Sequence, residues 1–476
     1  MVAVFPKADI VRRTAIDRVW DPAAVRQCEL KGRGFWIKLP LALHSRASQE
    51  RAGVGRKVKQ ATVDCTLMIA ASATQGAITR TGPSGSSSVF SGYNGSDWGY
   101  EMDMPDETVP HSFHDIPPEL QHFLIRTRKG VGDCLSTTSG FAGRIFRFQA
   151  GTATETCVKV PLATPATVGE AATRFLRELR LQRAMYYHQF VHWPFDFDLI
   201  DDAPIAWFRF WDSDLAALIE DDRFTFEGRL GMLAYLAAAL DHCHMKGLVA
   251  HQDLKPENVF VQDLRRVASG LPDASIWRIP KLADFGSVNL ASECGVFDGT
   301  KAYMAPEQWR RMPLGRHTSV WSLGLIAYEL LTFGQHPVGE PTRPWRNRAS
   351  GVFNRWQKKR MWLRWLDGGC RPTGTVGDAD LDELIRRCLD PDPAGRPAIA
   401  GFSAAILSAL RQRSSADYEQ ANFRIVHAQD VSSSNHDWPY LDKRFNSVVA
   451  AVAERFSDPS VLDRYLISEE EAAALA

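Results

Sequence analysis

The chain has 476 residues, more than one ordinary domain of roughly 100–200 residues needs, so two or three units are expected. Hydrophobic residues make up 45% and charged residues 24%, the balance of a soluble globular protein with material for a sizeable core. Lys+Arg and Asp+Glu both total 56, so the net charge calls for neither nucleic acid nor a membrane as partner.

Residues 1–131 read as an N-terminal extension, partly flexible. It opens on MVAVFPKADIVRR, which lacks the apolar core of a signal peptide. Residues 31–60 are basic (Lys31, Arg33, Lys38, Arg46, Arg51, Arg56, Lys57, Lys59), and 34–39 and 62–72 read as ordered pieces. Residues 75–98 are rich in Gly, Ser and Thr and read as a flexible loop or linker. An acidic stretch over 97–120 follows. Like-charge runs of this kind usually stay solvated; a docking surface is the alternative.

From about residue 132 the texture changes. Short alternating segments rich in Val, Ile, Phe and Thr predict strands over 145–148, 156–160, 195–200 and 205–210. One helix interrupts them from 170 to about 186, with Phe175, Leu176, Leu179 and Arg183 at helical spacing. From Phe226 the pattern is mainly helical, and Leu230, Leu233, Ala234, Ala237 and Leu240 form an apolar stripe. Strands first and helices later suggest an α+β domain in two lobes, 132–211 and 212–413. Residues 414–476 read as a C-terminal helical tail with a helix around 445–456.

Eight cysteines lie singly along the chain, with no CxxC pair, so a zinc site is not expected. Scattered thiols suit a reducing compartment. No stretch approaches the roughly 18 apolar residues of a membrane helix. A cytoplasmic location is expected; a specialised route into another cell would leave no such mark.

The densest group of chemistry-bearing residues is His251-Gln252-Asp253-Leu254-Lys255-Pro256-Glu257-Asn258. Asp253 and Asn258, five residues apart, fit a loop that returns both side chains to one site, with Lys255 between them. A carboxylate to accept a proton, a hard oxygen donor for magnesium and a cation to neutralise charge are what phosphoryl transfer to a hydroxyl requires. A second metal ligand must come from another segment, and Asp284 in Leu282-Ala283-Asp284-Phe285-Gly286 follows an apolar run downstream. A triphosphate needs a cationic clamp, and Lys159 is the one lysine in the strand-like Thr156-Cys157-Val158-Lys159-Val160. Phosphates also need close backbone approach, hence glycines, as in Thr138-Ser139-Gly140-Phe141-Ala142-Gly143-Arg144-Ile145.

These segments together resemble the eukaryotic-type Ser/Thr protein kinase family, whose catalytic loop reads H-R-D-L-x-x-x-N. His251, Asp253, Leu254, Lys255 and Asn258 match, and Lys255 at that place is similar to the Ser/Thr branch rather than the Tyr branch. The resemblance covers about 135–413. It implies a bilobal protein-kinase-like fold, a small β-rich N-lobe with one key helix and a larger helical C-lobe, here with N- and C-terminal extensions. It implies ATP and Mg²⁺, with Asp284 and Asn258 as metal ligands and Asp253 and Lys255 as catalytic residues. Lys159 would be the phosphate clamp, Glu178 the helix carboxylate that orients it, and Cys157 the small residue facing adenine. Gly140, Gly143 and Ile145 match the family's glycine-rich loop, with Thr138 where its first glycine stands. The segment Gly299-Thr300-Lys301-Ala302-Tyr303-Met304-Ala305-Pro306-Glu307 resembles the substrate-docking segment, with Thr300 beside Asp253 and Lys255. Glu307 needs a buried partner, and the resemblance offers Arg396. The implied activity is transfer of the γ-phosphate of ATP to Ser or Thr hydroxyls of protein substrates, with no marked nucleic-acid or membrane partner.

Some positions depart from the family pattern. Gln252 stands where most members have an Arg that pairs with a phosphate on the activation segment. Gln cannot form that charge-assisted pair, so activity independent of such phosphorylation is expected. Ser319 replaces the Asp of a D-V-W-S-L-G helix, and a less rigid catalytic loop with slower turnover is expected. Residues 262–277 read as a surface loop. Residues 343–365 carry Trp345, Trp356, Trp362 and Trp365 among many cations: a helix whose tryptophans pack on the lobe, or a surface for single-stranded nucleic acid or an acidic substrate. Two other functions stay open. One is a pseudokinase-like binding scaffold, motivated by Thr138, Gln252 and Ser319. The other is a kinase with a small-molecule acceptor. The intact Lys159, Glu178, Asp253, Asn258 and Asp284 argue against the first, and the docking segment against the second.

Overall fold

A computed structural model of the chain describes residues 26–32, 35–41 and 112–468, apart from 130, 140–142, 150–154, 165, 186, 212, 269, 291–301, 343–358 and 434–437. The elements from residue 112 onward belong to the larger of two units. The ordered piece expected over 62–72 lies outside the described residues.

Strands β1 (Arg26–Gly32) and β2 (Phe35–Leu41) pair with each other. Helix α1 (Pro118–Lys129) precedes a five-stranded antiparallel sheet of β3 (Cys134–Ser139), β4 (Arg144–Phe148), β5 (Thr156–Val160), β6 (Asp196–Ile200) and β7 (Ala203–Arg209), in the order β3-β4-β5-β7-β6. Helix α2 (Val168–Ala184) crosses between β5 and β6. Side chains alternate along a strand, so each strand serves two faces. Phe146, Phe148, Val158 and Val160 join Trp207 on one face, where Phe113 and Ile125 from the N-terminal extension complete a small core. Cys157, Ala206 and Phe208 share the other face with Phe175, Leu176 and Leu179 of α2.

The larger lobe begins with β8 (Ser213–Asp214), α3 (Leu215–Leu218) and α4 (Phe226–Met245). Thr225 caps α4 by accepting from the Gly228 N–H at 3.2 Å, and Gly247, at φ +95, turns the chain out at its end. Leu230, Leu233, Ala237 and Leu240 are fully buried, but so are Met232, Leu236 and Ala239, because α4 is the helix around which the lobe packs. Strands β9 (Leu248–His251), β10 (Val259–Asp263), β11 (Arg278–Leu282) and β12 (Val288–Leu290) follow, β10 paired with β11 and β9 with β12. Then come α5 (Pro306–Trp309), α6 (Arg316–Leu331), the short pair β13 (Gln335–His336) and β14 (Glu340–Pro341), α7 (Lys359–Asp367), α8 (Ala379–Cys388) and α9 (Ile399–Arg413). A Cβ on Gly324 would stand 2.4 Å from Cys388 Cβ, so only glycine lets α6 and α8 approach this closely. The tail forms α10 (Ser415–Ser433), α11 (Trp438–Arg455) and α12 (Ser460–Tyr465).

The strands expected over 145–148, 156–160, 195–200 and 205–210 are present with ends shifted by at most two residues. β3 was not expected, since its Ser/Thr-rich sequence reads as part of the glycine-rich loop; it is a largely exposed edge strand that needs few apolar residues. The stretch 262–277 is only partly a surface loop. β10 runs to Asp263, and Ser275, Ile276 and Trp277 turn inward against α4 and are buried. Trp362 and Trp365 of α7 pack inside the lobe on Trp321 and His336, which favours the packing reading of that basic segment. Trp345 and Trp356 lie outside the described residues.

Several histidines are buried in apolar surroundings. The His188 and His242 rings stack at 4.4 Å, and His336 donates from Nε2 to the Ala302 carbonyl at 3.2 Å. Burial pushes His188, His192 and His336 from the ordinary 6.5 down to about 3, and His242 and His244 to about 4. The unfolded chain still takes up these protons near the ordinary value. Their contribution to stability is therefore complete above pH 6.5 and lost as pH falls, toward about 4 for His242 and His244 and about 3 for the others, at about 1 kcal/mol per histidine near pH 5.5. The urea midpoint is expected to drop clearly between about pH 7.5 and about pH 5.5. A midpoint flat across that interval would contradict neutral buried rings.

Candidate active site

The strand pairings bring the polar residues together. Val259 stands opposite Leu282 in the β10–β11 ladder, so the residues flanking that pair, Asn258 and Ala283, meet: the Ala283 N–H donates to the Asn258 carbonyl at 2.9 Å. Asp284 follows at once. Its φ is +62, a left-handed conformation that costs a non-glycine residue roughly 1–2 kcal/mol. Strain of this kind collects at functional sites. The turn lies beside α2: a Cβ on Gly286 would be in ordinary contact with Asp284 Oδ1 at 3.4 Å and Glu178 Cδ at 3.6 Å.

Lys159 sits on β5, with Ile145 and Ala206 as its register partners on β4 and β7. Its ammonium reaches across to α2 and forms a largely buried ion pair with Glu178. Burial pushes the ammonium pKa down, but the carboxylates of Glu178 and Asp284 more than offset this and hold it above the usual lysine range. One fixed cation thus faces two anions from two separate elements.

The catalytic-loop residues close on one another. Lys255 Nζ donates to Asp253 Oδ2 at 2.6 Å. Asn258 Nδ2 donates to the Asp253 carbonyl at 2.9 Å and to Oδ2 at 3.1 Å. That spends the amide nitrogen on Asp253 and leaves the amide oxygen as the donor a metal would meet. His251 anchors the loop: its Nε2 donates to the Ala283 carbonyl at 3.1 Å and its ring meets Phe285 edge-on at 5.3 Å. Burial pushes its pKa down despite Asp284 and Asp253 nearby.

Ser319 keeps the bond expected of the missing Asp. Its Oγ accepts from the His251 N–H at 3.0 Å and lies 3.4 Å from His244 Nε2. Gln308 is a brace that sequence reasoning missed. It is buried, its Nε2 donates to the Gln252 carbonyl at 3.0 Å, and its Oε1 accepts from the Ala305 N–H at 2.9 Å. Next to it, Glu307 receives both terminal nitrogens of Arg396 at 2.7 and 2.9 Å, and both side chains are buried.

The remaining expected positions divide. Gly143 is packed under β5, where a Cβ would stand 2.7 Å from the Val160 carbonyl oxygen. Ile145 is in β4, opposite Lys159 and Thr138; Thr138 is exposed in β3. Cys157 shares the Lys159 face of β5, and burial pushes its thiol up to about 12, so it stays protonated. Gly140 and Thr300 lie outside the described residues.

Residues 139–406 match the family described as protein kinase domain. The chain belongs to the protein kinase family. This kinase chain is 28% identical over 294 residues to serine/threonine-protein kinase ULK3 of Rattus norvegicus, covering 60% of this chain and 55% of that one. It is 36% identical over 200 residues to serine/threonine-protein kinase Nek2 of Homo sapiens, covering 39% and 38%. It is 27% identical over 310 residues to serine/threonine-protein kinase pkn3 of Myxococcus xanthus, covering 60% and 52%. The chain spans about half the length of the curated relatives it matches. Kinase membership implies ATP as phosphoryl donor and a divalent metal.

Replacing Ser319 by Ala removes the acceptor from a buried backbone N–H, which costs about 1–3 kcal/mol. Ser319→Ala is therefore expected to lower the melting temperature and the turnover together. Thermal unfolding beside initial rates checks this, and an unchanged melting temperature would mean that the His251 N–H finds another acceptor.

Proposed function

We propose that the protein is an ATP- and Mg²⁺-dependent kinase that transfers the γ-phosphate to Ser or Thr hydroxyls of protein substrates. The observation that carries this reading is the convergence of the Lys159–Glu178 pair, Asp284 and the Asp253–Lys255–Asn258 cluster. A scaffold that had given up chemistry need keep none of them.

Each group has a task. Lys159, held by Glu178, meets the phosphates of ATP as a fixed cation. Asp253 orients the incoming hydroxyl and accepts its proton. Lys255, already bonded to Asp253, lies where it can neutralise the transferring phosphoryl. Asp284 and the Asn258 amide oxygen are the hard donors for the metal. Among the described residues no group of three or more His, Cys, Asp or Glu forms a metal cage. Two donors suit magnesium, which keeps waters and takes its other ligands from phosphate. When bound, the metal neutralises charge on the phosphates. Thr300 is assigned to the substrate side of Asp253, in the segment that ends in the Glu307–Arg396 pair.

The protein acceptor finds support in that segment. Tyr303 donates from its hydroxyl to Glu329 at 2.7 Å and its carbonyl accepts from Ser322 at 3.0 Å, so the end of the segment is pinned to α6. Gln252 makes activity independent of an activation-segment phosphate. Its side chain is buried and uncharged.

Wild-type protein with labelled ATP, Mg²⁺ and a generic protein substrate is expected to give phosphoserine or phosphothreonine. Asp253→Ala is expected to lower the rate by about 10²–10⁴-fold, the usual loss of a general base. Incorporation that persists in Asp253→Ala overturns the assigned mechanism, and none with wild type favours the binding scaffold. Phosphatase treatment of the wild type is expected to leave the rate unchanged.

A further inference from the structure

The kinase chemistry rests on where α2 sits, because α2 carries Glu178. Phe175, Leu176 and Leu179 pack α2 on the face of the sheet that carries Cys157 and Ala206. A second set of holds comes from the end of the chain, more than 250 positions away along the sequence.

α2 is held at both ends by the tail. Near its start, Gly169 lies against the Phe456 ring, where a Cβ would stand 3.4 Å from the nearest ring atom. Near its end, Arg183 forms a two-armed ion pair with Asp442 of α11; the side chains are 1% and 8% exposed. Between these points Leu176 and Leu179 share one apolar cluster with Phe445 and Val449 of α11. Glu178 falls inside this held span.

The tail is in turn referenced to the sheet. Arg444 donates to Asp196 Oδ1 at 2.9 Å and to the Phe197 carbonyl at 2.7 Å, both on β6, and the Phe197 and Phe445 rings meet at 5.3 Å. β6 pairs with β7 and β7 with β5, the strand of Lys159. The tail's own end is closed by Asn446, which exchanges hydrogen bonds with the Ile467 N–H and carbonyl at 2.9 Å. So α2 and the sheet are triangulated through α11.

We propose that α11 and α12 are a built-in positioning element that fixes α2 against the sheet and keeps the Lys159–Glu178 pair formed without a partner protein. This rests on the kinase reading above and assigns the regulation of that same site. Asp442 is a positioning residue. Without its carboxylate, Arg183 is a buried charge with its strongest partner gone, and α2 loses its fixed end.

A double-mutant cycle in the full chain tests it, with turnover measured on a generic protein substrate and ATP affinity measured separately. Asp442→Ala is expected to lower kcat by about tenfold or more while ATP affinity shifts by less than about threefold, and Asp442→Glu to restore most of the loss. If the tail acts through Glu178, the same substitution in a Glu178→Gln background lowers kcat by less than about threefold. Equal losses in both backgrounds, or no loss in the wild-type background, overturn the proposal. Arg444→Ala, which loosens a half-buried contact, carries the same cycle should Asp442→Ala not fold. Wild-type protein that transfers no phosphate defeats the kinase reading itself, whereas active wild type with an unaffected Asp442→Ala defeats the tail alone.

Discussion

A single ammonium group between two carboxylates sets the terms for this molecule. Lys159 is too buried to stay charged alone, since taking an isolated cation out of water costs several kcal/mol or more. Glu178 and Asp284 supply the compensation, and they arrive from a helix and from a turn in the other lobe. The charge balance therefore closes only when α2, β5 and the turn after β11 are all in place. That turn carries Asp284 in its left-handed conformation.

The catalytic loop shows a different economy. Where the family places a buried carboxylate, this chain has Ser319, and the neighbour across from it is His244, held neutral by burial. A hydroxyl beside a neutral ring needs no counter-charge, whereas a carboxylate there would. Gln308 makes the same point, joining the Gln252 carbonyl to the Ala305 N–H with one uncharged amide. An ion pair, Glu307 with Arg396, locks together two segments distant in sequence.

Much of this was legible from the residues alone, because phosphoryl transfer demands few groups in a fixed order. Lys159, Asp253, Lys255, Asn258 and Asp284 were readable from short local segments and Glu178 only through the family resemblance, and the structure gathers them. The strands of the small lobe were readable because their alternation is clean. β3 was not, because an exposed edge strand rich in Ser and Thr has the composition of a loop. Gln308 and Asp442 were not, because each takes its meaning from a partner far away in the chain: Gln252 for one and Arg183 for the other. Asp442 left one faint trace. It sits beside the apolar stripe of Leu441, Phe445, Val448, Val449 and Val452, where an acidic residue calls for a cation.

The route of the tail has a mechanical consequence. The chain passes from the small lobe to the large one after β7, and returns through α10, which lies on α4 and α9, to α11 on the small lobe. The backbone thus crosses between the lobes twice. Five peptide steps join Ser433 to Trp438, which span at most about 18 Å when fully extended. Any separation of the two lobes is limited by that reach.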